Sequence, residues 1–139
     1  MIIDIKLDEG AFIPERAHKT DAGYDLKTPV CVEIPPRSSQ KIDTGVHMMI
    51  PKGYVGMLKS KSGLNVNKSI LCEGVIDAGY TGSIVAKLYN HSDETVRFNR
   101  GDKITQIVIM PIANIDILNI VSDFETTERG DNGFGSTGR

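Results

Sequence analysis

Hydrophobic residues recur in short stretches along most of the chain, and turn-forming residues separate these stretches. β-Branched and aliphatic side chains outnumber strong helix formers within them, a pattern typical of β-strands. Breaks such as Pro35-Pro36 and Pro51-Lys52-Gly53 supply the turns. The pattern predicts strands at residues 2–7, 30–34, 41–50, 54–59, 84–89, 95–98, 104–112 and 115–120.

The predicted strands define an all-β fold class. Short strands at this spacing are typical of a jelly roll, a sandwich or a barrel. Residues 104–110 are almost continuously apolar, which indicates a strand buried on both faces or packed against another subunit. Residues 63–69 have the composition of a short helix, too brief to change the class.

The composition changes abruptly at Thr126. Residues 126–139 are rich in glycine and polar side chains, and they offer too little apolar surface to offset the entropy lost on ordering. A chain of 139 residues has the length of one ordinary domain. We therefore predict one β-domain at residues 1–125 and a flexible C-terminal tail at residues 126–139.

Charge and composition exclude several functional classes. The 16 Lys and Arg residues against 18 Asp and Glu residues give a net charge of −2, without the basic excess expected of a general nucleic-acid binder. No apolar run approaches the ~20 residues that span a bilayer, and Asp4 interrupts the N-terminal apolar stretch too early for a signal peptide. These features predict a cytoplasmic protein that binds neither membranes nor nucleic acids.

The two cysteines, Cys31 and Cys72, lie far apart without a CxxC pattern or a nearby histidine pair. This arrangement predicts neither a zinc site nor a disulfide framework. Both are predicted to be reduced thiols in or near the core.

Two segments carry side chains suited to a phosphate chain or a nucleotide. Ser60-Lys61-Ser62-Gly63-Leu64 combines a cation, hydroxyls and main-chain N–H groups, the components of an anion site. The tail combines a guanidinium, an aromatic ring and hydroxyls. When each segment is taken alone, the first is explained by a solvated turn with an N-cap serine, and the second by an unstructured terminus.

A third segment, Gly74-Val75-Ile76-Asp77-Ala78-Gly79-Tyr80-Thr81-Gly82, places an acid and an aromatic residue three positions apart between glycines. The glycines permit a hairpin and a close approach of a ligand to the backbone. Main-chain groups of such a hairpin can pair with the edge of a base, and Asp77 can orient a water molecule. A plain hairpin with an incidental acid explains this segment equally well when it is taken alone.

Two more segments have simple structural explanations. Asp21-Ala22-Gly23-Tyr24-Asp25-Leu26 offers a carboxylate to Mg²⁺, which binds triphosphates with few protein ligands, although alone it is an acidic turn. Arg100-Gly101-Asp102-Lys103-Ile104-Thr105-Gln106 is most simply a turn that enters a buried strand. Gln106 interrupts the apolar run of that strand and needs hydrogen-bond partners.

Taken in order over the whole chain, five segments resemble the five motifs of the trimeric deoxyuridine triphosphatases (dUTPases). The third and fifth are the most specific. The resemblance implies a jelly-roll subunit in a homotrimer whose three active sites are each built from several chains. It also implies hydrolysis of dUTP to dUMP and pyrophosphate with Mg²⁺, which limits uracil incorporation into DNA and supplies dUMP for thymidylate synthesis. The segments are residues 21–26, 60–64, 74–82, 101–106 and 129–138.

Carried over by position, the resemblance implies a role for each site residue. Asp77 would activate the water that attacks the α-phosphorus, and Tyr80 would stack under deoxyribose and exclude a ribose 2′-hydroxyl. Asp25 would hold Mg²⁺ through water. The remaining substrate contacts would be the backbone of Gly74, Val75 and Ile76 at uracil; Lys61, Ser62, Gly63 and Gln106 near the phosphates; and Arg129, Phe134, Gly135, Ser136 and Thr137 in a lid, with Phe134 over uracil.

Three positions depart from the family pattern. Lys61 replaces the usual Arg of the second motif, which exchanges a planar bidentate donor for a point charge. Leu71 stands six residues before Asp77, where many relatives have Asn or Gly, and Gly79 stands where a second acid is common. None of these changes removes a group that the reaction must have.

Two alternative functions remain on the same scaffold. A dCTP deaminase resembles this fold, but the presence of both Asp77 and Tyr80 in the third motif argues against it. A nucleotide-sensing module that binds a regulatory protein is the other alternative. Retention of all five motifs favours the enzyme, although a second regulatory role is compatible with them.

Overall fold

A computed structural model describes residues 1–138, so Arg139, the last residue of the predicted tail, lies outside the described residues. Residues 1–138 form ten β-strands and one short helix, which agrees with the predicted all-β class. The helix α1 spans Ser62–Lys68. The strands are β1 (Ile5–Leu7), β2 (Gly23–Lys27), β3 (Val32–Ile34), β4 (Ser39–Asp43), β5 (Val46–Met48), β6 (Tyr54–Lys59), β7 (Ile70–Ile76), β8 (Val85–Asn90), β9 (Val96–Phe98) and β10 (Lys103–Pro111).

Six of the strands form a curled sheet in the order β2-β10-β6-β7-β8-β4. Two further ladders pair β1 with β5 and β3 with β9. Neighbouring strands are antiparallel throughout. The chain therefore has the jelly-roll type of β-fold that the sequence predicts.

The core lies between these ladders and draws on all of them. Leu26, Leu58 and Ile107 come from three neighbouring strands of the large sheet and are fully buried. Gly56 lies where a Cβ atom would approach side-chain atoms of Ile50 and Ile107 to 2.7 and 2.9 Å. Glycine at this position therefore lets the two isoleucines pack directly against the backbone of β6.

Cys72 belongs to this core, as predicted, but the prediction for Cys31 is wrong. Cys31 is exposed, while Val32 and Ile34 of the following strand are buried. Because side chains alternate between the two faces of a strand, the inward positions of β3 begin at Val32. Cys31 therefore points to the outer face.

One predicted strand is divided in the structure, and two strands were not predicted. Residues 41–50 form two strands rather than one, because the chain turns at Gly45, which has a φ of 66°, and β5 then pairs in a different ladder from β4. Strands β2 and β7 were not predicted, since their segments contain acids and glycines that resemble turns. Both are strands because each pairs along its length with a neighbour, β2 with β10 and β7 with β6 and β8.

The predicted strand at residues 115–120 is also wrong. Residues 112–138 contain no helix or strand, and the segment 112–124, here called the apolar arm, leaves its large side chains exposed. Ile120 has 97% of its surface exposed. A strand needs a neighbour to satisfy its main-chain hydrogen bonds; Ile112 donates to the Gly53 carbonyl, but residues 115–120 have no such neighbour within the described chain. The one helix among residues 1–138, α1, lacks the length and apolar character needed to cross a membrane.

Candidate active site

Four neighbouring strands bring three of the predicted motifs into one row. On β10, Gln106 lies opposite Asp25 of β2 on one side and opposite Lys59 of β6 on the other. Lys59 in turn lies opposite Glu73 of β7 and forms an ion pair with it, with Nζ 2.8 Å from Oε2. The first and fourth motifs therefore lie side by side, next to the end of β6 where the second motif begins.

Asp25 is the centre of the charged groups in this row. Its Oδ1 lies 2.5 Å from Nζ of Lys61 and its Oδ2 lies 2.9 Å from Nζ of Lys103. Burial raises the pKa of Asp25, but the hydrogen bonds and charges of the two lysines together outweigh burial and hold this pKa below its usual value. Asp25 is therefore an ionised carboxylate with only 7% of its surface exposed.

The position of Lys103 depends on an irregularity in β10. The register between β10 and β2 shifts between Lys103 and Thr105, which is a β-bulge. Ile104 and Thr105 are both buried although they are consecutive, because the bulge interrupts the alternation of faces. Lys103 also approaches Oε1 of Glu15 at 3.4 Å, and Lys27 reaches the same oxygen at 2.8 Å. Asp25 thus belongs to a network of ion pairs in which lysines alternate with carboxylates.

Ser60 connects the second motif to two strands. Its Oγ accepts a hydrogen bond of 2.8 Å from the N–H of Cys72, and its carbonyl accepts one of 3.1 Å from Nε2 of Gln106. Gln106 thereby obtains the partner that its place in an apolar strand requires. Its side chain lies over Gly23, where a Cβ atom would collide with it, so the first motif needs glycine at this position.

The second motif continues into α1, which begins at Ser62 after the N-cap residue Lys61. A Cβ atom added to Gly63 would meet no other atom within 4 Å, so the main chain there is open to a ligand. Lys61, Ser62 and Gly63 therefore lie together next to Asp25 and Gln106, as the predicted phosphate contacts require.

The third motif forms a tight hairpin directly after β7. The N–H of Tyr80 donates to the carbonyl of Asp77 at 3.2 Å, and Gly79 has a φ of 84°. The Tyr80 hydroxyl donates to the carbonyl of Ser83 at 3.0 Å, and its ring occupies the space where a Cβ atom of Gly82 would lie. Tyr80 and Asp77 are both exposed, so the hairpin presents an aromatic ring and a carboxylate outward.

The backbone leading into the hairpin has an unpaired edge. Residues Gly74, Val75 and Ile76 pair with β6 on one side, while the pairing of β7 with β8 ends at Cys72. No strand among residues 1–138 covers the other edge of residues 74–76. Main-chain groups at this edge are available to a ligand, as the predicted uracil contacts require.

Within one chain, the third motif begins near the second, since Gly74 lies opposite Leu58, but its turn at residues 77–82 does not meet the other motifs. Ile76 lies opposite Gly56, so Asp77 follows at the level of Val55, near the start of β6. Ser60 lies five residues further along, which corresponds to about 17 Å at the rise of a β-strand. Asp77 and Tyr80 are therefore separated from Lys61 by most of the length of β6.

The fifth motif is also separate from the rest. Its polar contacts are local, as in the hydrogen bonds from Nε of Arg129 to the carbonyl of Asn132, 3.0 Å, and from Oγ of Ser136 to the same carbonyl, 3.3 Å. The Phe134 ring is fully exposed. The structure thus leaves Arg129, Phe134, Gly135, Ser136 and Thr137 outside the cluster around Asp25.

Two contacts at the site were not predicted from the sequence. Lys103 lies within the fourth motif, and its sequence position predicts no role for it, although it contacts Asp25 directly. His47 contacts the carbonyl of Thr81 within the hairpin at 2.7 Å. Predicting β2 as a partner of β10 would have placed Lys103 near Asp25, whereas no sequence signal links His47 to Thr81.

Known proteins resemble this chain over most of its length. The chain matches the dUTPase family model over residues 9–138. The deoxyuridine 5′-triphosphate nucleotidohydrolase of Arabidopsis thaliana is 41% identical over 134 residues, which cover 96% of this chain and 80% of the relative. The enzyme of the same name from Gloeothece citriformis is 36% identical, covering 96% of this chain and 93% of the relative.

Solved structures are similar along the full chain. The dUTPase of Staphylococcus bacteriophage 80alpha with dUPNHPP has a TM-score of 0.92 and 34% identity, covering 99% of both chains. A mutant dUTPase from phage phi11 of S. aureus, described with a structural Mg(II) ion, has a TM-score of 0.83 and 33% identity, covering 91% of this chain and 100% of that chain.

The fold and these matches define a class, the nucleotide hydrolases with a jelly-roll subunit. Within that class, the chain belongs to the dUTPase family. The family, the fold class and the dUTP diphosphatase activity that the sequence predicts are thereby confirmed.

Proposed function

We propose that the chain hydrolyses dUTP at three composite sites of a homotrimer, each assembled from the motifs of different subunits. The observation that carries this proposal is the separation of about 17 Å between the hairpin and the Lys61 region along β6. A single triphosphate is too short to contact both regions within one chain with its reacting α-phosphorus at Asp77. A second subunit that brings its hairpin to this end of β6 completes the site.

The phosphate side of the site is the cluster on the large sheet. Lys61, Ser62 and Gly63 bind the phosphate chain through an ammonium group, a hydroxyl and open main chain. Gln106 stabilises this arrangement because its hydrogen bond to the Ser60 carbonyl fixes the loop, and it helps to hold phosphates or the site water. Lys61 is paired with Asp25 in the free chain, so substrate phosphates compete with that carboxylate for the ammonium group.

The Asp25 carboxylate suits a Mg²⁺ ion that the substrate itself brings, once the phosphates draw Lys61 away from its Oδ1. No group of three or more His, Cys, Asp or Glu side chains in residues 1–138 is arranged to hold a metal ion, so a purely protein-bound site is not built here. A triphosphate-bound Mg²⁺ keeps several waters and needs few carboxylates. Asp25 is an ionised carboxylate beside the phosphate contacts and would hold Mg²⁺ through water. When bound, Mg²⁺ neutralises charge on the triphosphate.

The nucleoside side of the site is the hairpin. The unpaired edge at Gly74, Val75 and Ile76 offers main-chain donors and acceptors to uracil. Tyr80 is fixed by its bond to the Ser83 carbonyl and stacks under deoxyribose, leaving no room for a ribose 2′-hydroxyl.

Asp77 performs the proton transfer. It orients a water molecule whose oxygen attacks the α-phosphorus. The bond from the α-phosphorus to the bridging oxygen breaks, so pyrophosphate leaves, and the carboxylate of Asp77 accepts the proton of the water.

The C-terminal residues provide the assembly and the lid. The apolar arm exposes several large side chains on one chain, which favours burial against another subunit. Beyond it, the predicted tail, described here to residue 138, acts as a flexible lid in which Arg129, Gly135, Ser136 and Thr137 contact the phosphates and Phe134 covers uracil. The β-domain is residues 1–125. A cytoplasmic location stays a prediction from the sequence.

One assay tests the proposed activity directly. Pyrophosphate release is measured with dUTP, dTTP, dCTP and UTP, each with and without Mg²⁺, on protein whose mass has been determined by native mass spectrometry. We expect a trimer that acts on dUTP with Mg²⁺ and discriminates against the other three nucleotides. Ammonia release from dCTP, or a monomer with full activity, would overturn the proposal.

A further inference from the structure

His47 connects the third-motif hairpin to the N-terminal part of the chain. Its Nδ1 lies 2.7 Å from the carbonyl oxygen of Thr81, the residue after Tyr80. Its Nε2 lies 3.1 Å from both carboxylate oxygens of Asp8. The imidazole, with 17% of its side chain exposed, therefore has an acceptor at each ring nitrogen.

Two acceptors require two donors. A neutral imidazole carries one N–H, so it can donate to Thr81 or to Asp8 but not to both. The unprotonated nitrogen would then place its lone pair against an oxygen. The imidazolium carries both N–H groups and satisfies both acceptors, so the observed geometry is that of charged His47.

The charges around His47 favour the same form on balance. The hydrogen bond to the Thr81 carbonyl and the carboxylate of Asp8 raise the pKa of His47 above its ordinary value of 6.5, against opposing effects of burial and the Lys6 ammonium. Asp4 and Lys6 lie beside the imidazole in a shallow surface cavity, and Asp43 lies on the side of the hairpin.

Asp43 anchors the same hairpin at a second point. The Ser83 hydroxyl and the N–H of Gly45 both donate to Asp43, and these hydrogen bonds lower its pKa. Asp43 therefore stays ionised at all pH values near neutrality. Of the two anchors, the one at Thr81 is the one that changes its charge in this range.

We propose that His47 is a positioning residue that, as an imidazolium bridging Asp8 and the Thr81 carbonyl, holds the Tyr80 hairpin in its substrate-binding position. This inference rests on the proposed role of Tyr80 under deoxyribose. Deprotonation of His47 leaves one N–H, which donates to the Asp8 carboxylate because a charged acceptor forms the stronger hydrogen bond, so the bond to the Thr81 carbonyl is lost. The hairpin then loosens at Thr81, next to Tyr80, and dUTP binding weakens as the pH rises.

The experiment follows the imidazole, the hairpin and the kinetics over one pH range. NMR titration of His47 and of the Tyr80 and Gly82 amides is combined with kcat and KM for dUTP from pH 5.5 to 9. We expect the hairpin signals to titrate with the midpoint of His47, and KM to rise about three- to tenfold over the same interval, the effect of losing one hydrogen bond. We expect kcat to change less than KM.

Three variants separate this role from general effects of pH. In His47→Gln the amide can donate to Thr81 at every pH, so we expect the pH dependence of the hairpin signals and of KM to disappear. Asp8→Asn retains the imidazole but removes the charge, so the common midpoint shifts to lower pH. His91→Gln is the control, because His91 stacks on Tyr89 away from the hairpin, and it should retain both dependences.

The outcomes distinguish this inference from the proposed function. Suppose that dUTP is hydrolysed. If the hairpin signals do not follow the titration of His47, or if they follow it but KM stays constant, the inference is overturned and the proposed function stands. If the hairpin titrates with His47 but no dUTP is hydrolysed, the proposed function fails and with it the positioning role. A KM that still follows pH in His47→Gln also overturns the inference.

Discussion

Lys61 and Asp25 are 36 positions apart in the sequence, yet the ammonium nitrogen of one lies 2.5 Å from a carboxylate oxygen of the other. The lysine that stands in place of the usual arginine of this motif is thus already paired in the free chain. Lys103 contacts the second oxygen of the same carboxylate, so Asp25 keeps a cationic partner when Lys61 turns to a phosphate. In the site that we propose, the carboxylate therefore lies between the Mg²⁺ ion and the phosphate chain.

The first prediction concerns Lys61. We expect Lys61→Arg to lower KM for dUTP a few-fold, because a guanidinium forms two parallel hydrogen bonds with a phosphate. Lys61→Met should raise KM at least about tenfold through the loss of a charged hydrogen bond. Lys68→Met, in the last turn of α1, is the matched control and should have little effect. An unchanged KM in Lys61→Met would remove Lys61 from the phosphate contacts.

The second prediction concerns Asp25 and acid. Because the pKa of Asp25 is lowered in the folded chain, its pairing with the lysines stabilises the fold above the ordinary pKa of 3.8 and is lost as the pH falls through the lowered value. At pH 6 we expect Asp25→Asn to reduce the free energy of unfolding by about 1–3 kcal/mol. Urea unfolding of both proteins between pH 2.5 and 6 should show this difference shrinking below pH 3.8. A constant difference would contradict the ion-pair account.

The third prediction concerns Asp77. Asp77→Asn should bind dUTP nearly normally and lose turnover, because an amide keeps the shape of the carboxylate but cannot accept the proton of the attacking water. Calorimetry measures binding and pyrophosphate release measures turnover. A variant with near wild-type turnover would show that another group activates the water.

Mixed trimers extend the same test to the arrangement of subunits. Asp77→Asn with an intact tail is co-refolded with a chain that keeps Asp77 and ends at Glu128. Random equal mixing gives mixed trimers in about three-quarters of cases, each with one complete site of three, so about one-quarter of wild-type activity should return. If native mass spectrometry confirms mixing but activity stays at background, the lid closes over the Asp77 of its own subunit.

The fourth prediction concerns Tyr80. Tyr80→Ala should reduce the discrimination between dUTP and UTP, because the ring that leaves no room beside C2′ is lost. The ratio of kcat/KM for the two nucleotides measures this effect. Tyr80→Phe is the matched control: it keeps the ring and loses only the bond to the Ser83 carbonyl, so it should retain most of the discrimination. An unchanged ratio in Tyr80→Ala would place sugar recognition elsewhere.

The fifth prediction concerns the tail. Residues 129–138 make only local polar contacts in the free chain, so their amides should exchange rapidly without ligand. A non-hydrolysable dUTP analogue should slow this exchange, since Phe134 and Arg129 then gain partners. The same measurement on Phe134→Ala should show weaker protection. Equal exchange with and without the analogue would argue against a lid.

The sequence best predicts those strands that are apolar themselves and lie between clear turn residues. The prediction for β6 is exact, because a short apolar segment lies between two clear turns. Strand β2 was missed, since Asp25 and Gly23 resemble turn residues until the pairing with β10 is known. Gly23 is needed there because Gln106 lies over it, a contact between residues more than 80 positions apart. The motifs of the site were predicted individually, but their spacing along β6 follows from strand register, which hydrophobic patterns do not report.

The apolar arm has a consequence for the life of a newly made subunit. Leu118, Ile120 and Phe124 each leave more than four-fifths of their surface in contact with solvent when the chain is alone. A newly synthesised chain therefore exposes the apolar arm after its β-domain has folded. Until another subunit covers the arm, chaperones and other unfolded chains can bind to it. Soluble yield should then rise with the rate of subunit association. Charged substitutions in the arm should leave the β-domain folded but weaken that association.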